Sequence, residues 1–205
     1  ATTSFYSYNP GTNTWDSTTL TAAPATVSYG GSLHYPGTGD YIYATRGTNT
    51  VTFWRYTIST DIWEQSVGDN PIQNLPAEVV IGYGSRLVGS GNDIYLNSGS
   101  GTKRFFKYSI SGNTWTEQEA IPFSPLWGTD LVYANGVVTA MAGYYENDMY
   151  EFSPTTGAWR KLKSMPGFGP TDYGPYSGAA LAYDPTSSSY FVTRGGTRQE
   201  MLAYS

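Results

Sequence analysis

At 205 residues the chain is long enough for one well-packed domain and short for two. A net charge of −5 with only 11 Lys plus Arg gives no electrostatic basis for nucleic-acid binding. The absence of cysteine excludes disulfides, thiolate metal sites and a Cys nucleophile.

No stretch approaches the roughly 18 consecutive apolar residues of a spanning helix, so no membrane insertion is expected. Charged residues make up 13% of the chain, about half the usual share. Aromatics make up 16%, 19 of them Tyr. A surface of Ser, Thr, Asn, Gly and Tyr is neutral but hydrogen-bonding, which points to an extracellular or cell-surface protein. The opening "ATTSFYSYNP" has neither an initiator Met nor a signal-peptide pattern. The expectation is a chain processed, or excised from something longer.

In chain order, the first element is "FYSYNPGTNTW" from Phe5, two short runs around turn residues, which predicts a hairpin. It returns as "FWRYTISTDIW" from Phe53, "FFKYSISGNTW" from Phe105 and "MYEFSPTTGAW" from Met149. "MLAYS" from Met201 begins a fifth copy. Each full copy sets an aromatic seven positions before a Trp: Tyr8 and Trp15, Tyr56 and Trp63, Tyr108 and Trp115, Phe152 and Trp159. These four tryptophans are expected to be structural, packed between neighbouring repeats. A proline follows each second strand (Pro24, Pro76, Pro122, Pro166), which suits a strand exit because proline cannot donate to a ladder.

Between the hairpins lies a second pattern, G-x-x-L: "GGSLHY", "GSRLVG", "GTDLVY" and "GAALAY". Small residues leading to one large apolar residue suit a strand crowded near an axis. A further strand follows each ("DYIYATRG", "DIYLNSG", "VVTAMAG", "SYFVTRGG") and closes on glycine. Four short strands over about 50 residues, repeated with Gly and Trp markers, predict a β-propeller blade. A β-sandwich also has short alternating strands, but needs no repeated Trp.

These markers together resemble the kelch family: glycines closing the second strand, an aromatic in the third, a Trp about seven residues on. The resemblance covers nearly the whole chain, although the double glycine occurs only as Gly195 and Gly196. "SGNTW" is also similar to the Asp-box turn of sialidases, a structural turn. The resemblance implies an all-β propeller, and the number of repeats predicts four blades forming one domain over 1–205. The blades are expected at about 25–76, 77–122, 123–166, and 167–205 plus 1–24.

The anchors Tyr8, Tyr56, Tyr108, Phe152 and Tyr204 are 48, 52, 44 and 52 residues apart. In a closed four-bladed ring Tyr8 and Tyr204 occupy equivalent places, so N-terminal strands are expected to complete the last blade. The count is then 17 strands where four blades of four need 16. The surplus is a third strand. It implies a five-stranded last blade, a strand that pairs elsewhere, or a cut inside a longer tandem array. The candidate assembly strands are Phe5, Tyr6 and Tyr8 at one end and Met201, Leu202 and Tyr204 at the other. One of them is expected to contact a neighbouring propeller.

Most enzyme readings fail on inventory. His34 is the one histidine, set inside "GGSLHY", and a lone His on a strand is usually structural. Copper oxidases built on kelch propellers need His ligands and a Cys-modified Tyr, which this sequence lacks. No nucleophile-elbow, phosphate-loop, zincin or EF-hand spacing occurs. No catalytic residue, cofactor or metal site is therefore expected. Arg86 and Asp130 share one repeat position and could pair along the central channel, most simply as a structural ion pair.

A binding face has better support. Loops after strands two and four emerge on one side of an up-and-down blade. They gather Trp127, Tyr144, Tyr145, Phe168, Tyr173 and Tyr176, with Arg46 and Arg194. Flat aromatics beside hydrogen-bonding groups suit sugar rings or a protein surface. Two functions are thus expected in competition: a non-enzymatic, self-associating scaffold that forms filaments, tubes or tandem arrays, and a glycan-binding lectin.

Overall fold

The computed structural model describes residues 2–16, 20–68, 71–167, 174–196 and 201–204. The chain is all-β, and its small sheets are arranged as a four-bladed β-propeller. Blade 1 is β3 (Ser32–His34), β4 (Tyr41–Thr45), β5 (Phe53–Thr57) and β6 (Ile62–Glu64). Blade 2 is β7 (Arg86–Ser90), β8 (Asp93–Gly99), β9 (Thr102–Ser109) and β10 (Thr114–Glu117). Blade 3 is β11 (Asp130–Ala134), β12 (Val137–Gly143), β13 (Glu146–Ser153) and β14 (Ala158–Lys161). The last sheet holds only β15 (Ala180–Asp184), β16 (Ser189–Thr193) and β17 (Met201–Tyr204). The hairpin β1 (Ser7–Asn9) and β2 (Thr14–Asp16) is a two-stranded sheet of its own.

The expected completion of the last blade by the N-terminal strands is therefore absent from the described pairings. The reason lies in the register. β17 already lies against β16, pairing Tyr190 with Tyr204, Phe191 with Ala203, Val192 with Leu202 and Thr193 with Met201. That is the third-strand place that β1 would need.

The seven-residue spacing is a register statement. Tyr8 and Trp15, Tyr56 and Trp63, Tyr108 and Trp115, and Phe152 and Trp159 are each directly opposed across their hairpin. Opposed aromatics on one face are a favourable cross-strand pair.

The core is divided among the blade interfaces. One cluster joins Tyr43 and Phe53 of blade 1 to Leu87, Ile94, Leu96 and Tyr108 of blade 2. A second joins Tyr95 and Phe105 to Leu131, Val138 and Phe152. A third joins Met141 and Met149 to Leu181 and Val192. On the other side of blade 1 only a small cluster remains, built on Ala23, Ala44 and Trp54.

The glycines of the repeat are where backbones meet. Gly143 ends β12 at φ 72°, and a Cβ there would lie 2.3 Å from the Thr129 backbone nitrogen. Only glycine combines that left-handed conformation with so close an approach.

Candidate functional site

Each hairpin works as a clamp on the blade before it. The Tyr56 hydroxyl donates to Asp61 at 2.6 Å, and Asp61 in turn accepts from the Thr21 backbone N–H at 2.8 Å. Burial and this hydrogen bond push the Tyr56 phenol up to about 12. The Asp61 carboxyl is held low by hydrogen bonds from Tyr56 and Thr21. Trp63 Nε1 donates to the Thr21 carbonyl at 3.0 Å. In blade 2, Tyr108 donates to Asn113 at 2.8 Å, the Gln73 N–H donates to Asn113 at 2.9 Å, and Trp115 Nε1 donates to the Gln73 carbonyl at 3.0 Å. In blade 3, Trp159 Nε1 donates to the Glu119 carbonyl at 3.1 Å, and the Trp159 N–H donates to the Glu119 carboxylate at 2.7 Å.

The preceding blade contributes a ring to each clamp. Phe53 packs on Tyr108 at 5.0 Å and on Trp115 at 4.9 Å. Phe105 packs on Phe152 and on Trp159, both at 5.0 Å. Phe5 packs on Tyr56 at 4.9 Å and on Trp63 at 5.0 Å. The hairpin β1–β2 thus sits where the outer half of a blade preceding blade 1 belongs.

The N-terminal clamp is assembled but has no target among the described residues. The Tyr8 hydroxyl donates to Asn13 at 2.7 Å, as Tyr56 and Tyr108 donate to Asp61 and Asn113 in blades 1 and 2. Trp15, however, is 68% exposed. It departs from the expected packing between blades because no blade among the described residues stands behind it.

The seam between the last sheet and blade 1 is correspondingly unfinished. Leu87, Leu131 and Leu181 of the G-x-x-L pattern are buried, whereas Leu33 is 56% exposed. A Cβ on Gly30, Gly84 or Gly128 would strike the backbone of the next blade, but one on Gly178 would meet nothing within 4 Å. Met201, the counterpart of Phe53 and Phe105, is 67% exposed, while those two are fully buried. Under the hairpin lies a groove of about 450 Å³ lined by Phe5, Val27, Leu33, Ala44, Trp54 and Trp63.

The other seams are tied by hydrogen bonds between innermost strands. Ser32 Oγ accepts from the Leu87 N–H at 3.1 Å. Asp130 Oδ2 accepts from the Leu181 N–H at 2.9 Å, and Asp130 Oδ1 accepts from Arg86 Nε at 2.9 Å. One carboxylate therefore joins blades 2, 3 and 4. Ala180 holds the repeat position of Ser32 and Asp130, and its methyl group cannot accept a bond from the next blade. His34 lines a cavity of about 210 Å³ with Val88, Gly89, Leu131, Val132 and Tyr133. Its Nε2 is buried without a hydrogen-bond partner, and burial lowers its pKa to about 4.

Part of the expected loop face does come together. Trp127 lies 5.9 Å from Tyr144 and 5.8 Å from Tyr176, and Tyr145 stacks on Tyr176 at 4.6 Å. The row continues through Tyr83, 5.2 Å from Trp127, to Tyr29, 4.2 Å from Tyr83. Tyr29, Tyr83 and Trp127 each precede the glycine of G-x-x-L. That fixed offset was the available signal for Tyr29 and Tyr83, which the loop reading missed. Tyr144 and Tyr145 adopt φ of 49° and 69°, where the matching turns carry Thr48 and Asn49 or Ser100 and Gly101. A bulky residue in that region is strained. Arg194 is buried rather than displayed, and Arg46 donates to the Thr26 carbonyl at 3.2 Å. Phe168 and Tyr173 lie outside the described residues.

No family model matches the chain, and no curated protein matches it in sequence. Among solved structures, the chain is similar to one described as "Structure of YjhT", with a TM-score of 0.62 at 12% identity. The match covers 90% of this chain and 68% of that one. At that identity the likeness concerns the fold, a β-propeller.

Proposed function

We propose that this chain is a non-enzymatic, extracellular scaffold module that associates with itself, with kelch-like blades as its building unit. The observation that carries the reading is the unfinished seam. Trp15, Leu33 and Met201 are large apolar side chains, each exposed at a repeat position whose counterparts are buried or half-buried. Such surface marks an interaction site, and β17 has an edge that is unpaired among the described residues. A charge-poor surface suits a permanent contact between identical units. Sedimentation and electron microscopy at micromolar concentration test the reading: oligomers, filaments or tubes are expected, and a strictly monomeric protein overturns it.

A second reading, a glycan-binding lectin, is favoured by one observation: two tyrosines hold left-handed backbone to join an aromatic row with Trp127 and Tyr176. Trp127→Ala or Tyr144→Ala should then abolish binding on a glycan array without lowering thermal stability. A parent protein that binds no glycan on a broad array removes this reading.

A further inference from the structure

We propose that the hairpin β1–β2 of one copy of these 205 residues completes the last blade of a second copy, its Tyr8, Asn13 and Trp15 clamping the backbone at Lys163. The inference rests on the self-association reading and names the surfaces that meet.

The target follows from the repeat. Ala23, Leu75, Ile121 and Met165 are equivalent, since each N–H bonds back to its own blade: Ala23 to Thr3, Leu75 to Val51, Ile121 to Lys103 and Met165 to Asn147. The clamped residues stand two positions earlier, at Thr21, Gln73 and Glu119. The fourth such position is Lys163. Of the four, it alone has no tryptophan Nε1 bonded to its carbonyl among the described residues, where the last sheet is β15–β16–β17 with no fourth strand.

The clamp without a target and the target without a clamp are complementary by construction. Phe5, Tyr8, Asn13 and Trp15 match Phe53, Tyr56, Asp61 and Trp63 position for position. The Tyr8–Asn13 bond is already made, so docking orders no new turn. The groove beside Leu33, Ala44 and Trp54 then receives the two inner strands of the neighbour's last sheet, as blade 2 receives blade 1.

A second copy is favoured over closure within one chain by where the hairpin is held. Phe5 is seated between Tyr56 and Trp63, the Ala23 N–H bonds to Thr3 at 2.8 Å, and the Val27 N–H bonds to Thr2 at 2.9 Å. From that seat Trp15 stays 68% exposed and meets no blade among the described residues. Donor and acceptor surfaces differ, so the contact is head-to-tail and propagates. β1 and β17 are the same element of the repeat and cannot both lie against β16. β17 therefore yields its place, with Met201 already 67% exposed.

The natural absence of cysteine makes the test direct. Copies carrying only Thr12→Cys are mixed with copies carrying only Lys163→Cys and treated with a short thiol-reactive crosslinker. A covalent dimer is expected in the mixture and not in either sample alone. It is expected to be lost when Trp15→Ala is added to the Thr12→Cys copy, at unchanged melting temperature. Removing 201–205 from the Lys163→Cys copy should raise the yield. Crosslinking within a doubly substituted monomer, with none in the mixture, shows closure inside one chain and overturns the inference. Oligomers by sedimentation with no mixed crosslink overturn it while leaving self-association standing. Monomers throughout remove both.

Discussion

Asp130 is the residue on which three blades converge. It accepts the Arg86 guanidinium on one oxygen and the Leu181 N–H on the other. Asp130→Ala leaves both donors unmet between innermost strands, a loss of about 1.5–3 kcal/mol. Urea denaturation should read it as a lower midpoint at unchanged slope. His34 acts in the opposite sense. Its pKa is about 4 when folded against 6.5 for the free side chain, so below pH 6.5 the unfolded chain takes up a proton that the folded one refuses. Stability should therefore fall as pH drops from about 6.5 towards 4 and level off below. The depressed carboxyls of Asp61, Glu117, Asp148 and Asp184 add their losses only at lower pH. His34→Gln should flatten the 4.5–6.5 window in denaturation measured across pH. No slope in the parent over that window contradicts the assignment.

At the scale of the element, the hairpin is the unit that was legible in the sequence. A Tyr and a Trp seven apart with turn residues between them can oppose each other across a two-stranded ribbon, and they do. The glycines were legible as places of close approach. Trp15 was not legible as exposed, because its pattern is identical to that of Trp63 and differs only in what stands behind it. Arg194 was expected on the loop face beside Arg46, yet it is buried, as are Ser98 and Ala142 at two of its three counterpart positions. This difference gives a paired prediction. Trp63→Ala removes a ring packed by Phe5, Tyr56 and Trp54 and should cost about 3 kcal/mol. Trp15→Ala should change the stability of the dispersed protein by less than about 0.5 kcal/mol. Equal losses for the two would mean that the N-terminal clamp is engaged.

Across the whole molecule, stability is expected to be uneven. β8 and β12 are central strands that are almost wholly buried, each paired on both sides. β1 is exposed along its length, and β17 is paired on one side only. Amide exchange should therefore be slowest in β8 and β12 and fast in β1, β2 and β17. The four-bladed plan was readable from spacing alone. The unfinished seam was not, since two copies of one strand compete for a single place and sequence equivalence cannot rank them. Uniform protection across all five sheets would show the seam closed.

The exposure of Trp15 has an optical consequence. Trp54 is buried at 2% exposure, and Trp63, Trp115 and Trp159 are each screened by a ring from the blade before. An indole in water emits at longer wavelength than a buried one and is open to dissolved quenchers. The emission of this protein should therefore split into a red, acrylamide-quenchable part, mostly from Trp15 with a smaller share from the half-buried Trp127, and a blue, protected remainder. Capping that indole would shift the spectrum without any added dye, so the chain carries its own reporter of whether its first hairpin is occupied. Trp15→Phe should remove most of the quenchable part. A parent protein whose emission resists acrylamide throughout would place that indole under cover.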